Sequence, residues 1–345
     1  MSDPGGFLHA VHHRIGQVIA DSRTSYAGQD PELDGVLATV GVLTSNSGKG
    51  TRAHAVHLGW RAAGGEDGAP TAVNVAAAFE LMHLSALVHD DLIDGSAERR
   101  GRPTVHVDAA SRHGSAGWTG DRERFSAGVA VLVGNLLWSL ADHALGTVNE
   151  TARAEWNAVR TEVNLGQYLD LVVSAQGSAD PSRIDTLMNL KTAKYTFERP
   201  LRAGAAAADP ANTGLMTALG GFGRLVGRAF QIRDDILGVF GDSSVTGKPT
   251  GNDLREGKAT VLLARSAGLA ANVTSGVYAR VGSPGLTDSE IETMRSTMVN
   301  DGTLEWAEHE TAVCVESALA DTGWMPSRVR EDLVALARSA ADRVR

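Results

Sequence analysis

Two long apolar segments of this chain each end abruptly in a pair of aspartates. Residues 79–88 lead into Asp90-Asp91-Leu92-Ile93-Asp94, and a second apolar run leads into Asp234-Asp235. Alanine and leucine are abundant and alternating β-branched runs are scarce, so helical periodicity explains most of the chain better than strands do. The sequence therefore predicts a mainly α-helical fold in which two helices carry carboxylates at their C-terminal ends.

The same periodicity predicts helices elsewhere, over residues 7–20, 50–63, 70–89, 128–148, 151–174, 181–198, 212–240, 258–269, 288–299, 303–319 and 327–344. Stretches rich in Gly, Pro and Ser predict loops at 64–69, 95–103, 114–120, 241–251 and 282–285. No shift in composition marks a linker, so residues 1–345 are expected to form a single large domain.

The overall composition limits the kinds of binding partner and the cellular compartment expected for the chain. The chain has 32 Lys+Arg against 41 Asp+Glu, a net charge of −9, which argues against a nucleic-acid-binding surface. The single cysteine, Cys314, cannot form an intramolecular disulfide, and no Cys/His spacing resembles a zinc site. Neither a signal peptide nor a long uninterrupted apolar stretch is evident. A cytoplasmic protein without stable membrane insertion is expected.

The first aspartate cluster has the geometry of a cation site. Asp90 and Asp94 are four residues apart, so on a helix they lie one turn apart on the same face. Like charges at a helix C-terminus, where the macrodipole also disfavours anions, cost stability unless cations neutralise them. Bound Mg²⁺ is the expected partner.

The second cluster, at Asp234 and Asp235, also follows a long apolar helix and precedes a glycine-rich loop. Mg²⁺ is usually held by one or two carboxylates together with waters and phosphate oxygens. Two clusters facing each other across a cavity would therefore share a diphosphate ligand. Either cluster alone could be a solvated helix end, but two of them, each followed by basic residues, argue against that interpretation.

Basic residues follow both clusters: Arg99, Arg100 and Arg102 after the first, and Lys248, Arg255 and Lys258 after the second. Guanidinium groups grip phosphate oxygens in pairs, and lysines supply point charges. For Arg102 and Arg255, ordinary surface solvation is preferred. The segment Gly48-Lys49-Gly50 is not a nucleotide-binding P-loop, because Gly50 stands where that motif requires Ser or Thr.

In order and spacing these motifs resemble the trans-isoprenyl diphosphate synthase, or polyprenyl synthetase, family, and bacterial geranylgeranyl diphosphate synthases in particular. Residues 90–94 match its first aspartate-rich motif, which Arg99-Arg100-Gly101 continues. The resemblance implies an all-α, isoprenoid-synthase-type fold with helices around a central apolar cavity. It also implies a homodimer and a Mg²⁺-dependent trans-prenyltransferase that joins isopentenyl diphosphate to allylic diphosphates.

The resemblance further assigns site residues. Isopentenyl diphosphate would be bound by Lys49, Arg52, His83 and Arg100. The allylic diphosphate would be bound by Arg99, Lys191, Thr192, Gln231, Lys248 and Lys258. Metal ions would be held by Asp90, Asp91, Asp94, Asp234 and Asp235. The residues expected to carry catalysis are Asp90, Asp91, Asp94, Lys191, Thr192, Gln231, Asp234 and Lys258. Gln167 and Asp170 also match a recurring family motif.

Product length should depend on the apolar helix that carries Asp90. Ser85 and Ala86 are small and would leave the upper channel open, while Met82 and Phe79 lie on nearly the same face further down. Phe79 would stand about 16 Å below Asp90 at ~1.5 Å per residue. By resemblance this favours a product longer than farnesyl, with geranylgeranyl diphosphate expected; the alternative is that Phe79 is an ordinary core residue.

Three positions depart from the family pattern. Gly238 stands where many members have the third aspartate of the second motif, so metal binding there is expected to depend mainly on Asp234. Ser47 and Ala53 replace a usual glycine and proline, and Asn135 replaces a common aspartate. Two other functions stay open. A class I terpene cyclase would need no isopentenyl site, and a non-catalytic partner subunit could tolerate loss of the aspartate clusters.

Overall fold

A computed structural model of the chain describes residues 4–45, 48–177, 180–242, 250–269, 275–320, 322–323, 325 and 327–342. Contacts between Cα atoms divide the chain into two compact units, Met1–Asn149 and Glu150–Arg345, and each is described by itself. The single domain over residues 1–345 stays a prediction. Lys248 and Ser47, both singled out in the sequence, lie outside the described residues.

The first unit is built from helices and one short hairpin. Its helices are α1 (Pro4–Tyr26), α2 (Pro31–Ser45), α3 (Thr51–Ala62), α4 (Pro70–Ile93), α5 (Val105–Ser115) and α6 (Arg122–Leu145). Strands β1 (Glu98–Arg99) and β2 (Arg102–Pro103) pair antiparallel, with Glu98 opposite Pro103 and Arg99 opposite Arg102.

The second unit contains a long π-helix among its α-helices. Its helices are α7 (Glu150–Gln176), α8 (Pro181–Met188), π1 (Asn189–Glu198), α9 (Arg199–Ala208), α10 (Thr213–Phe240), α11 (Asn252–Glu256), α12 (Val261–Leu269), α13 (Ser275–Tyr278), α14 (Asp288–Asn300), α15 (Thr303–Ala320) and α16 (Ser327–Ala341). Strand structure in the described part of the chain is limited to the β1–β2 hairpin, so the predicted all-α class is confirmed.

Helix α4 is the core helix of the first unit. It begins at Pro70, a residue suited to the first turn because it has no amide hydrogen to leave unpaired. Phe79 and Met82 on this helix are fully buried. The helix ends where the amide of Asp94 donates to the carbonyl of Asp90 at 2.8 Å and Gly95 takes a left-handed conformation. The acidic residues therefore lie at the end of a rigid, well-packed element.

Glycines allow π1 to pack closely between α7 and α10. A Cβ on Gly166 of α7 would lie 2.9 Å from the backbone nitrogen of Lys191. On α10, a Cβ on Gly227 would lie 2.4 Å from the Cα of Ala193, and one on Gly223 would lie 2.7 Å from the Cα of Glu198. Backbones can approach this closely only where no side chain intervenes. The sequence predicted one helix over residues 181–198 and gave no sign of this change in helix type.

The sequence also missed some helices, namely α2, α5, α9 and the short α11 and α13. In α9, Pro200 lies in the first turn, a position with which proline is compatible. A single proline therefore marks a new helix here and not a loop.

Candidate active site

Asp91 and Arg99 form a bidentate, partly buried ion pair in the first unit. The Nε of Arg99 donates to both carboxylate oxygens of Asp91, at 2.7 and 2.9 Å, and an Nη2–Oδ1 distance of 2.6 Å completes the fork. Asp91 is only 5% exposed. Burial lowers the pKa of the guanidinium, but the bond to Asp91 and the nearby carboxylates outweigh it and raise the Arg99 pKa. In this arrangement the carboxylate of Asp91 is directed at a protein cation.

Asp90 and Asp94 differ from Asp91 in exposure. The side chain of Asp90 is 24% exposed and lies 4.0 Å from Nη2 of Arg99, and Asp94 is exposed. The two residues are one helical turn apart, as the sequence predicted. Both carboxylates are thus more accessible to an added cation than Asp91 is.

A tight hairpin turn places two arginines next to this cluster. Arg100 has φ 54° and Gly101 has φ 73°, so both central residues of the turn between β1 and β2 are left-handed. Left-handed backbone costs a non-glycine residue roughly 1–2 kcal/mol. Thr104 steadies the hairpin by donating to the carbonyl of Ser96 at 2.7 Å. The turn directs Arg99 to Asp91, while the Arg100 guanidinium lies 2.6 Å from where a Cβ of Gly48 would be.

Two of the residues predicted to bind isopentenyl diphosphate, Arg52 and Arg100, lie near a third, His83. Burial, followed by the charges of Arg52, Arg100 and Arg99, lowers the pKa of His83 well below its usual range. The imidazole is therefore neutral at physiological pH. Lys49 is exposed immediately before α3, and Arg52 is half-buried in its first turn. The chain thus gathers cationic groups of the kind that hold a diphosphate.

Glu80 belongs to this group although sequence reasoning missed it. It is 1% exposed, and its Oε1 accepts the backbone amide of Ala53 at 2.9 Å. Burial raises the pKa of Glu80, while the charge of Arg52 and the Ala53 amide oppose that effect. A single carboxylate in an otherwise apolar run, three residues before His83, was the signal available in the sequence. Glu80 ties α4 to the start of α3, which carries Arg52.

The four residues predicted to set product length differ in their surroundings. Phe79 and Met82 are fully buried, and Ala86 is half-buried. Ser85 is also fully buried, and its hydroxyl donates to the carbonyl of Gly134 on α6 at 2.7 Å. Ser85 therefore lies at the contact between α4 and α6.

In the second unit a chain of hydrogen bonds joins π1, α10 and α12. The hydroxyl of Thr192 donates to Oε1 of Gln231 at 2.5 Å, and Nε2 of Gln231 donates to Oδ1 of Asp235 at 2.7 Å. The other oxygen of Asp235 accepts the backbone amide of Val261 at 3.1 Å. Lys191, beside Thr192, lies 2.5 Å from Oδ2 of Asp170. Two predicted site residues, Thr192 and Gln231, are thus brought together with Asp235.

Asp235 and Asp234 repeat the contrast between Asp91 and Asp90. Asp235 is 4% exposed, and burial, aided by the charges of Asp253 and Asp234, raises its pKa to about 8. Asp234 is half-buried. In each pair the second aspartate, Asp91 or Asp235, is buried and bonds to other protein groups. The first aspartate, Asp90 or Asp234, is more accessible to solvent. Lys258 follows nearby in sequence, with its Nζ 2.8 Å from Glu256 and 3.6 Å from Asp253.

The carboxylates fit a metal that completes its coordination with other ligands. Among the described residues, no three His, Cys, Asp or Glu side chains converge closely enough to hold an ion by themselves. Mg²⁺ is usually bound by one or two carboxylates plus waters and substrate phosphates. Asp90 and Asp94 at the end of α4, and Asp234 in the C-terminal part of α10, suit that requirement.

Comparison with known proteins decides the family. The sequence model of the polyprenyl synthetase family matches residues 36–279. The chain belongs to the polyprenyl synthetase family. A geranylgeranyl diphosphate synthase of Mycobacterium tuberculosis is 32% identical over 301 residues, 85% of this chain and 79% of that protein. A geranylfarnesyl diphosphate synthase of Aeropyrum pernix is 31% identical over 285 residues, 80% of this chain and 83% of that protein.

The similarity to a solved polyprenyl synthetase extends over nearly the whole chain. Geranylgeranyl pyrophosphate synthase from Corynebacterium glutamicum, crystallised with isoprenyl diphosphate and magnesium, superimposes with a TM-score of 0.90. It is 33% identical, and the match covers 99% of this chain and 100% of that one. The family expected from the sequence motifs is therefore confirmed.

Two helices of this family member, α4 and α6, are long and apolar enough to cross a bilayer by length and composition alone. The most apolar window of α4 is 72% buried, which identifies it as a core helix. That of α6 is only 39% buried. Such helices are weak evidence of a membrane span, since the core helices of soluble proteins share these properties.

Proposed function

We propose that the chain is a soluble, Mg²⁺-dependent trans-prenyltransferase that condenses isopentenyl diphosphate with allylic diphosphates, and that its product is geranylgeranyl diphosphate. The observation that carries the proposal is the recurrence of one arrangement in both units. Near the C-terminal end of an apolar helix, an accessible aspartate, Asp90 or Asp234, is followed by a buried one that is bonded to protein groups. The polyprenyl synthetase match spans both arrangements.

Metal ions would be held by Asp90 and Asp94 in the first unit and by Asp234 in the second, with water and diphosphate oxygens completing their coordination. When bound, Mg²⁺ supplies Lewis-acid neutralisation of the diphosphate charge. Asp91 and Asp235, which the sequence assigned to metal binding, have contacts that suit an orienting role: Asp91 bonds to Arg99 and Asp235 to Gln231.

Ionisation of the allylic substrate would depend on cations of the chain itself. Arg99, Lys191 and Lys258 would neutralise the departing diphosphate as the allylic C–O bond breaks. Thr192 and Gln231, whose oxygens meet at 2.5 Å, would stabilise the positive charge left on the carbon chain. Apolar walls would exclude water that could quench the cation.

The second substrate would be positioned by the arginines around His83. Lys49, Arg52 and Arg100 would bind the diphosphate of isopentenyl diphosphate and aim its double bond at the allylic cation. The departing diphosphate then accepts the proton that is lost when the new double bond forms. His83 is neutral in this setting, so it can donate one hydrogen bond to a phosphate oxygen without adding charge.

Product length would be set below Asp90 on α4. Phe79 lies three turns before Asp90, about 16 Å away at ~1.5 Å per residue, and the buried Met82 lies between them. The tail of a growing product would end at Phe79. The relatives named above make products of different lengths, which is why geranylgeranyl diphosphate enters as a proposal.

We further propose a cytoplasmic homodimer. Helix α6 exposes Val131 and Leu132, at 43% and 67%, and α7 exposes Leu165 and Tyr168, at 54% and 68%. Exposed large apolar side chains are typical of surfaces that contact another protein. A second copy of this chain would cover them, and sedimentation velocity would measure the dimer directly.

Incubation of the protein with labelled isopentenyl diphosphate, Mg²⁺ and each of dimethylallyl, geranyl and farnesyl diphosphate tests the function. Chromatography should detect a labelled C20 diphosphate, and none should form with EDTA present. A cyclic hydrocarbon without label would identify a terpene cyclase. No turnover by a folded, metal-loaded protein would favour a partner subunit. The arginines near His83 favour the prenyltransferase, because neither alternative needs a second diphosphate site.

A further inference from the structure

Gly238, which stands where many family members have a third aspartate, is not next to empty space. A Cβ built on Gly238 would lie 1.9 Å from Oδ2 of Asp253 and 2.3 Å from its Cγ. No real Cβ approaches an atom so closely, so a side chain at 238 and the present position of Asp253 exclude each other. The carboxylate of Asp253 occupies the place that a side chain at 238 would enter.

The spacing of residues along α10 shows how position 238 relates to Asp234. Residues 234 and 238 are four apart on α10, so they lie one turn apart on the same face. Asp90 and Asp94 are related in the same way on α4. With its carboxylate against Gly238, Asp253 puts a negative group one turn after Asp234, where the first cluster has Asp94.

Several contacts fix Asp253 in this position. It lies in α11, which begins after Gly251 and ends before Gly257, both with left-handed backbone. The neighbouring Leu254 is 1% exposed, and its carbonyl accepts the amide of Gly282 at 3.0 Å. The carbonyl of Asp253 accepts the amide of Lys258 at 2.9 Å. The side chain of Asp253 is only 13% exposed, so packing within the fold fixes its position, unlike that of a solvent-exposed surface residue.

We propose that Asp253 is the third acidic residue of the second metal site and that Gly238 is the slot that admits it. Helix α11 thus supplies the carboxylate that the Asp234-Asp235 motif itself lacks. This assignment rests on the proposed function, since it takes Asp234 as a ligand of a Mg²⁺–diphosphate complex. Mg²⁺ coordinated partly through water accepts such a carboxylate either directly or through a bound water.

A simpler role for Asp253 would be to pair with Lys258, and Glu256 allows the two roles to be separated. Glu256 lies 2.8 Å from the Lys258 ammonium, closer than Asp253 at 3.6 Å, and does not enter the slot at Gly238. If Asp253 acted only through Lys258, then Glu256→Gln would have at least as large an effect as Asp253→Asn. Glu256→Gln is therefore the matched control.

Titration calorimetry of Mg²⁺ into the full-length protein with saturating inorganic diphosphate gives a readout that does not need turnover. Asp253→Asn is expected to weaken Mg²⁺ binding about 10- to 100-fold, the range found for groups that support a metal site, and Glu256→Gln less than about 3-fold. Equal effects of the two variants, or unchanged Mg²⁺ affinity in a folded Asp253→Asn protein, would overturn the assignment. Circular dichroism establishes the folding of each variant.

The slot itself is tested by moving the carboxylate. Gly238→Asp restores the family's third aspartate yet should weaken Mg²⁺ binding and lower the melting temperature, because two carboxylates compete for one place. Gly238→Asp combined with Asp253→Gly should recover Mg²⁺ affinity to within about 10-fold of the wild type. A Gly238→Asp single variant that binds Mg²⁺ as well as the wild type would contradict the proposal. Failure of the wild type to incorporate isopentenyl diphosphate would instead reject the function itself.

Discussion

The Arg99 guanidinium holds both carboxylate oxygens of Asp91, with 2.7 and 2.9 Å from its Nε. The pair joins the end of α4 to the β1–β2 hairpin. Since a buried carboxylate needs a charged partner, Asp91 fixes where Arg99 points. Arg99 in turn is one of the groups proposed to bind the allylic diphosphate.

Asp91→Asn should therefore lower the free energy of unfolding by about 1–3 kcal/mol, the usual cost of losing a charged hydrogen bond. It should also raise the KM for the allylic diphosphate, because Arg99 is no longer held. Denaturant unfolding and steady-state kinetics measure the two effects. Asp94→Asn is the control, since Asp94 is exposed and its loss should leave stability nearly unchanged while impairing Mg²⁺ use. A larger loss of stability for Asp94→Asn would contradict the assignment.

His83 should make the ligand-free protein sensitive to acid. Its pKa is lowered in the folded state by burial and by Arg52, Arg100 and Arg99. Above pH ~6.5, the value for an unfolded chain, both states hold a neutral imidazole. Below it the unfolded chain binds a proton that the folded protein does not, so stability falls as the pH falls, by at most about 1.4 kcal/mol per pH unit.

Melting temperatures of the wild type and His83→Gln between pH 5 and 8 test this effect. The two curves should run in parallel above pH ~6.5 and the wild type should lose more stability below it. Parallel curves over the whole range would mean that His83 titrates normally in the fold.

Phe79→Ala should lengthen the product if Phe79 is the floor of the channel. Truncation of a fully buried phenylalanine should also cost about 3–5 kcal/mol of stability. Phe222→Ala is the control, because Phe222 is 4% exposed on α10 and should cost similar stability without changing the product. Product chromatography checks the chain length. An unchanged product from a folded Phe79→Ala protein would assign Phe79 to the core alone.

Ser85→Phe is expected to shorten the product, and the structure adds a second effect. Ser85 is fully buried and bonds to the carbonyl of Gly134 on α6. A phenyl ring there would press on the α6 backbone, and such overpacking typically costs about 1–3 kcal/mol. Thermal unfolding together with product analysis separates the two effects. A shorter product without any loss of stability would contradict the close packing of Ser85 against α6.

Gly227→Ala should destabilise the packing of π1 against α10. The new Cβ would lie 2.4 Å from the Cα of Ala193, so backbone must move, at a cost of about 1–3 kcal/mol. Gly221→Ala on the same helix meets no atom within 4 Å and should stabilise the protein by roughly 0.5–1 kcal/mol. Opposite signs of the two changes in denaturant unfolding are the expected result. Because π1 carries Lys191 and Thr192, Gly227→Ala should also reduce activity.

Much of the fold could be predicted because the helices that carry the aspartates are long and strongly apolar. Residues 70–89 were predicted as helical, and α4 covers them. Helix α9, which has a proline in its first turn, was not predicted. The π-helical geometry of residues 189–198 was missed because it depends on close approach to Gly166, Gly223 and Gly227 from other helices. The local sequence pattern carries no information about such contacts between helices.

The sequence by itself determined the helical class, the family and the chemical types of the site residues, because motif order and hydrophobic period are local properties of the chain. Only the tertiary structure decided which aspartates are buried against other protein groups and which are more accessible. Asp91 and Asp235 are drawn into bonds with Arg99, Gln231 and the Val261 amide. Arg99 and Gln231 are near in sequence to the aspartates that they contact, but only the folded β1–β2 hairpin and helix α10 bring them within hydrogen-bond distance, and the Val261 amide comes from a different helix.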